Sequence, residues 1–238
     1  MPLILCHSPT GGVGTTFLAS HLALGLAASG HDVTAIDFTQ ADPLKLFFGM
    51  PPAQEIPALI DPTSEGVVVD GVELLSGYGA SQGGAFARLL ADRTVPPFGD
   101  DRIVIADVAS ADTALKQSLL PHAALHLCVL MPQPTSLAAL SNVQPDTPTL
   151  DLERTVFVLN QTDDTRKFSR HCQVFLGALL TEKLIGTIRR DEAVNDALAS
   201  YQPLSRYAPQ SVVLADIAAL TAAVRIRCGF VASAERTS

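Results

Sequence analysis

The residues best suited to chemistry lie in one short stretch, SPTGGVGTTF, from Ser8 to Phe17. Gly11, Gly12 and Gly14, with Val13 among them, let the backbone curl so that its N–H groups face an anion, and Thr16 offers a hydroxyl of the kind that holds Mg²⁺. A phosphate loop of this type also carries a lysine for the β- and γ-phosphates. Here that position is Thr15, and the point charge is missing. A helix starting at this loop still directs free N–H groups and the positive end of its dipole toward an anion, so phosphate affinity is lowered and not abolished. A hydrogen bond to a charged group contributes about 1.5–3 kcal/mol, so losing one or two weakens binding by roughly tenfold to ten-thousandfold. ATP or ADP with Mg²⁺, held with weakened affinity, is the expected ligand.

Two other uses of the same glycines stay open. The turn could merely pack a helix against a strand. Alternatively, Gly12-x-Gly14 could open a dinucleotide site, with Asp37 as the ribose-binding acid. Against that, the third small residue of the fingerprint falls on Phe17, too bulky for close helix–strand packing.

The elements that must position these residues can be read from apolar runs and turn signals. LILCHS, the glycine loop, the helical stretch TTFLASHLALGLAAS ending at Gly30, and DVTAID ending in Asp37 form a βαβ unit. RIVIADVAS, from Arg102 to Ser110, repeats the pattern of an apolar run closing in an acid, here Asp107, as expected of a buried parallel strand whose carboxyl end faces a site. Further strands are expected at Ala124 to Met131, Arg154 to Gln161 and Lys183 to Ile188, and helices at Ala85 to Val95 and Ser211 to Arg227. EGVVVDGVELLSG, from Glu65 to Gly77, is a hairpin or sheet edge about Asp70-Gly71. Alternating strands and helices imply an α/β fold, doubly wound, with a mostly parallel sheet and helices on both faces. Residues 1–228 are expected to form one domain and 229–238 a frayed tail; QPDTP, from Gln144 to Pro148, is a loop.

Composition narrows the function. The 47% apolar content of 238 residues supports a substantial core, and no apolar run approaches the ~20 residues of a membrane span. With no basic leader before an apolar stretch, a cytoplasmic protein is expected. A net charge of −8 argues against a global grip on nucleic acid. The basic cluster Thr165 to His171 is read as a solvated helix start, and Cys6, Cys128, Cys172 and Cys228 as small buried residues. His122 and His126 are four apart, but the second runs into a strand and no neighbouring acid completes a metal site. The tail RIRCGFVASAERTS lacks the sustained basic amphipathic face of a membrane-docking helix.

With the loop, Asp37 and Asp107 in view, the chain resembles the MinD/ParA group of deviant Walker A ATPases, and within it the cellulose-biosynthesis branch. Members typically read K-G-G-x-G-K-[ST] at the loop; here the two lysine positions are Thr10 and Thr15. VTAIDFTQADPLKLFFGMP resembles the family segment V-D-x-D-P-Q-N followed by L-R-L-x-F-G. Asp37 takes the first acid, while Thr39 takes the second, which in the family orients the attacking water. RIVIADVAS fits the Walker B strand with Asp107 as its acid, and VFVLNQ places Asn160 where the family reads the adenine edge. IGTIRRDEAVNDALASYQPLSRYAPQS resembles the late pattern H-R-D-E-A-V, Q-P-V, Y-x-P-x-S. Arg190 to Ser211 is the stretch most similar to the cellulose branch as opposed to partitioning or Min proteins.

The resemblance covers most of residues 3–225 and implies a SIMIBI-class P-loop NTPase fold. It implies Gly11, Gly12, Val13, Gly14, Thr15 and Thr16 around the phosphates, Thr16, Asp37 and Asp107 on Mg²⁺ directly or through water, and Asn160 on adenine. It further implies a homodimer, partners among the other subunits of a cellulose synthase complex, and recruitment to the inner membrane through that complex. Threonine replaces neither the charge of lysine nor the acceptor of aspartate that aligns water, so hydrolysis is expected to be weak or lost. Arg189 and Arg190 either approach the nucleotide from the adenine side or pair with Asp191 and Glu192. Asp42 either stands in for the missing acid or caps a local turn. An active positioning ATPase and a nucleotide-free scaffold remain the alternatives.

Overall fold

The computed structural model describes residues 2–59, 66–83, 102–143 and 152–230, together with Phe86, Arg88 and Leu90. Most of the helix expected at Ala85 to Val95, the loop Gln144 to Pro148 and the tail from 231 onward lie outside the described residues. The first βαβ unit forms as its pattern requires, with β1 at Leu3–His7, α1 at Thr15–Ala28 and β2 at Val33–Asp37. Next come a 3₁₀ turn at Pro43–Phe48, then β3 at Val67–Val69 and β4 at Val72–Ser76. The remaining strands are β5 at Ile103–Asp107, β6 at Ala123–Leu130, β7 at Thr155–Thr162 and β8 at Leu184–Arg189. Among the helices between and after them, α2 spans Tyr78–Ser81, α3 Thr113–Leu119, α4 Pro134–Ala138 and α5 Lys167–Leu180. The last three are α6 at Ala193–Ala199, α7 at Leu204–Tyr207 and α8 at Val212–Cys228.

The eight strands make one sheet in the order β3-β4-β2-β5-β1-β6-β7-β8, parallel except for β3. The exception is the expected hairpin: Asp70 at φ 48° and Gly71 at φ 81° supply the two positive φ angles that a tight two-residue turn needs, and β3 becomes the sheet edge. β1 is central and buried along its whole length, as a strand covered on both faces must be. Its alternate residues serve two cores. Ile4 and Cys6 pack with Leu18, Leu22 and Leu26 of α1 and Leu220 and Val224 of α8, whereas Leu3 and Leu5 pack with Leu115 and Leu119 of α3 on the other face. β2 and β5 lie to one side of β1 and β6 to β8 to the other, so the loop after β1 sits over the crevice where the winding direction changes. That is where ligands bind in open α/β sheets.

The sheet also buries two imidazoles beside a buried lysine. His7 and His126 face each other with ring centroids 6.1 Å apart. His126 Nδ1 lies 3.0 Å from Thr155 Oγ1, and the buried Lys116 donates through Nζ to the Val143 carbonyl at 2.6 Å. Burial, reinforced by the charge of Lys116, holds His7 down at about 4, and burial, with His7 and Lys116 beside it opposing a further positive charge, holds His126 down at about 3. Burial likewise lowers His21 on α1 to about 4. Cys6, Cys128 and Cys172 are buried free thiols, as expected, whereas Cys228 is only half-buried.

Candidate functional site

The loop after β1 and the start of α1 form one wall of a cavity of about 490 Å³. Thr10, Gly11, Gly12, Gly14, Thr15 and Thr16 line it, with Thr39 after β2, Asp107 at the end of β5, and Ser110 beyond it. Asn160 and Gln161 of β7 and Arg189 of β8 line the opposite side, with Arg190 and the α6 residues Val194, Asn195 and Leu198. Val13 is in the loop but not in the cavity wall. Its side chain is buried and its carbonyl accepts a 2.8 Å hydrogen bond from Asn160 Nδ2.

Gly14 is the residue on which the loop turns. It is the N-cap of α1 at φ 88°, and no side chain caps the helix, so its first N–H groups remain available to a ligand. A Cβ at Gly14 would collide with Asn160 Nδ2. Asn160 thus acts as a clamp that holds the loop from the far strand, a task in addition to the adenine contact that the resemblance implies for it. Thr10, at the position of the family's first lysine, binds inward: its N–H donates to Ser8 Oγ at 3.2 Å.

The two acids come together but in different environments. Asp37 and Asp107 are register partners on adjacent strands. Asp37 Oδ1 accepts from Thr39 N at 2.8 Å and Thr39 Oγ1 at 2.6 Å, and its Oδ2 accepts from Leu44 N at 2.8 Å. These three donors favour its charged form against the burial that raises it to about 6. Asp107 is 1% exposed, and neither of its oxygens has a hydrogen-bond partner. Burial and the charge on Asp37 push it up to about 8, against a smaller opposing effect of the nearby Thr16 hydroxyl. Burial thus raises both carboxyl groups of the pair, and Asp107 further than Asp37, which alone has backbone donors.

That arrangement fits Mg²⁺ and a nucleotide. A buried carboxylate without a donor is stabilised by a cation, and Thr16 and Asp107 offer two oxygens on one side of the cavity. Among the described residues there is no cluster of three or more His, Cys, Asp or Glu that forms a protein cage. Mg²⁺ tolerates this, because it keeps several waters and takes ligands from one or two side chains plus phosphate. Asp37, with both oxygens occupied, fits a contact through water and orders the segment from Thr39 to Leu44.

The other candidate residues are placed as follows. Asp42, at φ 46°, accepts from Ser76 Oγ at 2.8 Å and is absent from the cavity wall. Arg190 pairs with Glu192 at 2.5 Å, as one expectation had it, but Arg189 pairs with Asp216 of α8 at 2.7 Å and not with Asp191. Asp191 instead accepts from Ala193 N at 2.9 Å and Ser211 Oγ at 2.7 Å. The segment from Arg190 to Ser211 is thereby closed through Asp191 and Ser211, and its residues Arg190, Asp191, Val194, Asn195 and Leu198 line the cavity. His126 lies within β6 and His122 in the 3₁₀ turn before it, so they do not share a helix face.

Sequence reasoning missed Ser110, Gln161 and Phe47. Ser110 Oγ is 3.2 Å from where a Gly11 Cβ would stand. Gln161 has φ 56° at an irregularity in the β7–β8 pairing, which no residue type announces. Phe47 lines the cavity and meets Phe17 edge-on at 5.8 Å, which explains why an aromatic residue occupies the position a dinucleotide fold keeps small.

The family model of the CobQ/CobB/MinD/ParA nucleotide binding domain matches residues 4–204. The chain belongs to this family. Among solved structures, a chain of the MinC:MinD cell division protein complex from Aquifex aeolicus is similar with a TM-score of 0.73 at 17% identity, covering 94% of this chain and 95% of that one. The septum site-determining protein MinD complexed with Mg-ADP from Pyrococcus horikoshii OT3 gives a TM-score of 0.69 at 16% identity, over 94% and 95% of the two chains. A complex of ATP with a single-residue variant of Cyanothece McdA gives 0.65 at 19% identity, over 97% of each. Curated proteins include no match to this chain. The observed sheet and helices are those of the MinD/ParA P-loop fold, and no helix among the described residues is long and apolar enough to cross a membrane.

Proposed function

We propose that this chain is a nucleotide-holding switch of the MinD/ParA type, one that binds ATP or ADP with Mg²⁺ to bring two copies together and dock partners, with hydrolysis weak or lost. The observation that carries this reading is the orphaned Asp107 carboxyl group opening into the same cavity as the N–H groups of Gly11 to Thr16. The loop amides hold phosphate oxygens, Thr16 and Asp107 hold Mg²⁺, and Asp37 supports it through water. When bound, Mg²⁺ offsets phosphate charge. Asn160 keeps the loop closed through Nδ2 and leaves its Oδ1 for the adenine edge. Weak turnover follows from the residues at the water side: the Thr39 proton is committed to Asp37, and Asp42 is turned to Ser76.

Within the family, we read the chain as of the BcsQ type of cellulose-biosynthesis protein, on the resemblance carried by the Arg190 to Ser211 segment. The Asp191–Ser211 hydrogen bond gives that pattern a physical purpose, since it shapes a wall of the nucleotide cavity. On this reading the chain is a cytoplasmic accessory of bacterial cellulose secretion, held at the inner membrane by other synthase subunits and not bound to nucleic acid.

Phosphate release and molecular mass, measured together on purified protein, test the proposal. The expected result is no release above that of Asp107→Ala, with the mass doubled by Mg-nucleotide. Release abolished by Asp107→Ala would make the chain an active positioning ATPase. No binding and no change in mass would leave a nucleotide-free scaffold.

A further inference from the structure

We infer that the cavity reads the first two phosphates of a nucleotide and does not read a γ-phosphate. This rests on the nucleotide-binding reading above and concerns where the chain places its positive charge. All four lysines of the sequence lie among the described residues, and none lines the cavity. Lys45 donates to the Gln54 carbonyl at 2.7 Å, Lys116 to that of Val143 at 2.6 Å and Lys183 to that of Leu152 at 2.8 Å, while Lys167 is exposed at the start of α5. Among the described residues lining the cavity, the cations are Arg189 and Arg190. Arg189 gives Nε and a terminal nitrogen to Asp216, and Arg190 gives Nε and a terminal nitrogen to Glu192.

Sheet order places those arginines at the wrong end for a third phosphate. Arg189 ends β8, three strands from β1 on one side, whereas Asp107 ends β5 on the other side of β1. Four strand spacings of about 4.8 Å separate β5 from β8, or roughly 19 Å. The end of the cavity near β5 and β2 presents Thr10, Thr39, Asp107 and Ser110, with Asp37 behind them. Carboxyl groups add no positive charge in any protonation state, and hydroxyls add none. Amide N–H groups at the mouth of α1 can therefore hold two phosphates, while the next one brings more negative charge to a place where none of the described side chains lining the cavity is cationic. Thr15, where the γ-directed charge would stand, lines the cavity as a neutral hydroxyl.

Calorimetric titration of the full chain with Mg-ADP, Mg-ATP and AMP tests the inference. ADP and ATP are expected to bind within about threefold of each other, and AMP at least about tenfold more weakly, because the loop amides read the β-phosphate. ATP binding more than about tenfold tighter than ADP would overturn this inference and leave the nucleotide reading standing. No binding of any of the three would overturn both. Thr15→Lys, checked for folding by circular dichroism, is expected to restore a preference for ATP of about tenfold or more. An equal gain for both nucleotides would show that the absent charge is not what levels them.

Discussion

Replacing Asp107 by asparagine should change how the stability of the nucleotide-free protein depends on pH. In the fold the carboxyl group is buried, lacks a donor and faces the charge on Asp37, which together raise it from an ordinary 3.8 to about 8. The unfolded chain releases this proton near pH 4 and the folded chain holds it, so the group's contribution is present at low pH and is lost as pH rises toward 8. Each pH unit in that window costs about 1.4 kcal/mol, and the gap of about three units at pH 7 costs on the order of 4 kcal/mol. Asparagine has the same shape and no proton to lose. Any cost of its buried amide is the same at every pH, so the readable quantity is a slope. In urea unfolding between pH 5 and pH 8 without nucleotide, the stability of Asp107→Asn minus that of the wild type should grow by about 1.4 kcal/mol per pH unit and then level off. Mg-nucleotide should stabilise the wild type more than the variant. A difference that stays constant over this range would mean that Asp107 is already ionised in the fold, and the argument for an orphaned carboxyl group would fail.

Three further outcomes follow from the same geometry. Gly14→Ala forces a side chain into a φ 88° conformation, at a cost of about 1–2 kcal/mol, and against Asn160. Differential scanning calorimetry should show a fall in Tm of several degrees, and nucleotide binding should disappear. Asn160→Ala leaves the buried Val13 carbonyl without its donor, a loss of about 1–3 kcal/mol, and hydrogen exchange across residues 9–15 should accelerate while that of α8 stays unchanged. Acid should destabilise the wild type. His7, His21 and His126 are held at about 4, 4 and 3, below the 6.5 of an exposed imidazole, so stability present above pH 6.5 is lost as the unfolded chain takes up three protons that the fold refuses. Asp37 and Asp107 oppose this with two protons that the fold prefers, leaving a net loss of about one proton, or ~1.4 kcal/mol per pH unit between pH 6 and pH 4.5. In Asp107→Asn the loss should be about twice as steep by urea unfolding.

Much of the frame is legible from local chemistry. The glycines before TTFLASHLALGLAAS, the acids that end β2 and β5 and the Asp70-Gly71 turn each encode their structure within a few residues, and the sheet follows from their alternation. What escapes a sequence reading is pairing at a distance. Asn160 reaches a carbonyl 147 positions earlier, and Arg189 finds Asp216 across 27 positions in place of its neighbour Asp191. Asp42 looks like a spare acid beside Asp37 until the sheet brings Ser76 to it from the next strand. The contrast between Asp37 and Asp107 is equally hidden, because both end similar apolar strands and only the turn from Thr39 to Leu44 supplies donors to one of them.

The central claim is that backbone amides at the mouth of α1 hold a nucleotide diphosphate without a lysine. A crystal structure grown in millimolar Mg-ADP tests it most directly. The expected density has the β-phosphate within hydrogen-bonding distance of the N–H groups of Gly12 to Thr16, with Mg²⁺ between it and Asp107. A cavity without nucleotide, or a nucleotide whose phosphates lie at Arg189 and Arg190 and away from the loop, would contradict it.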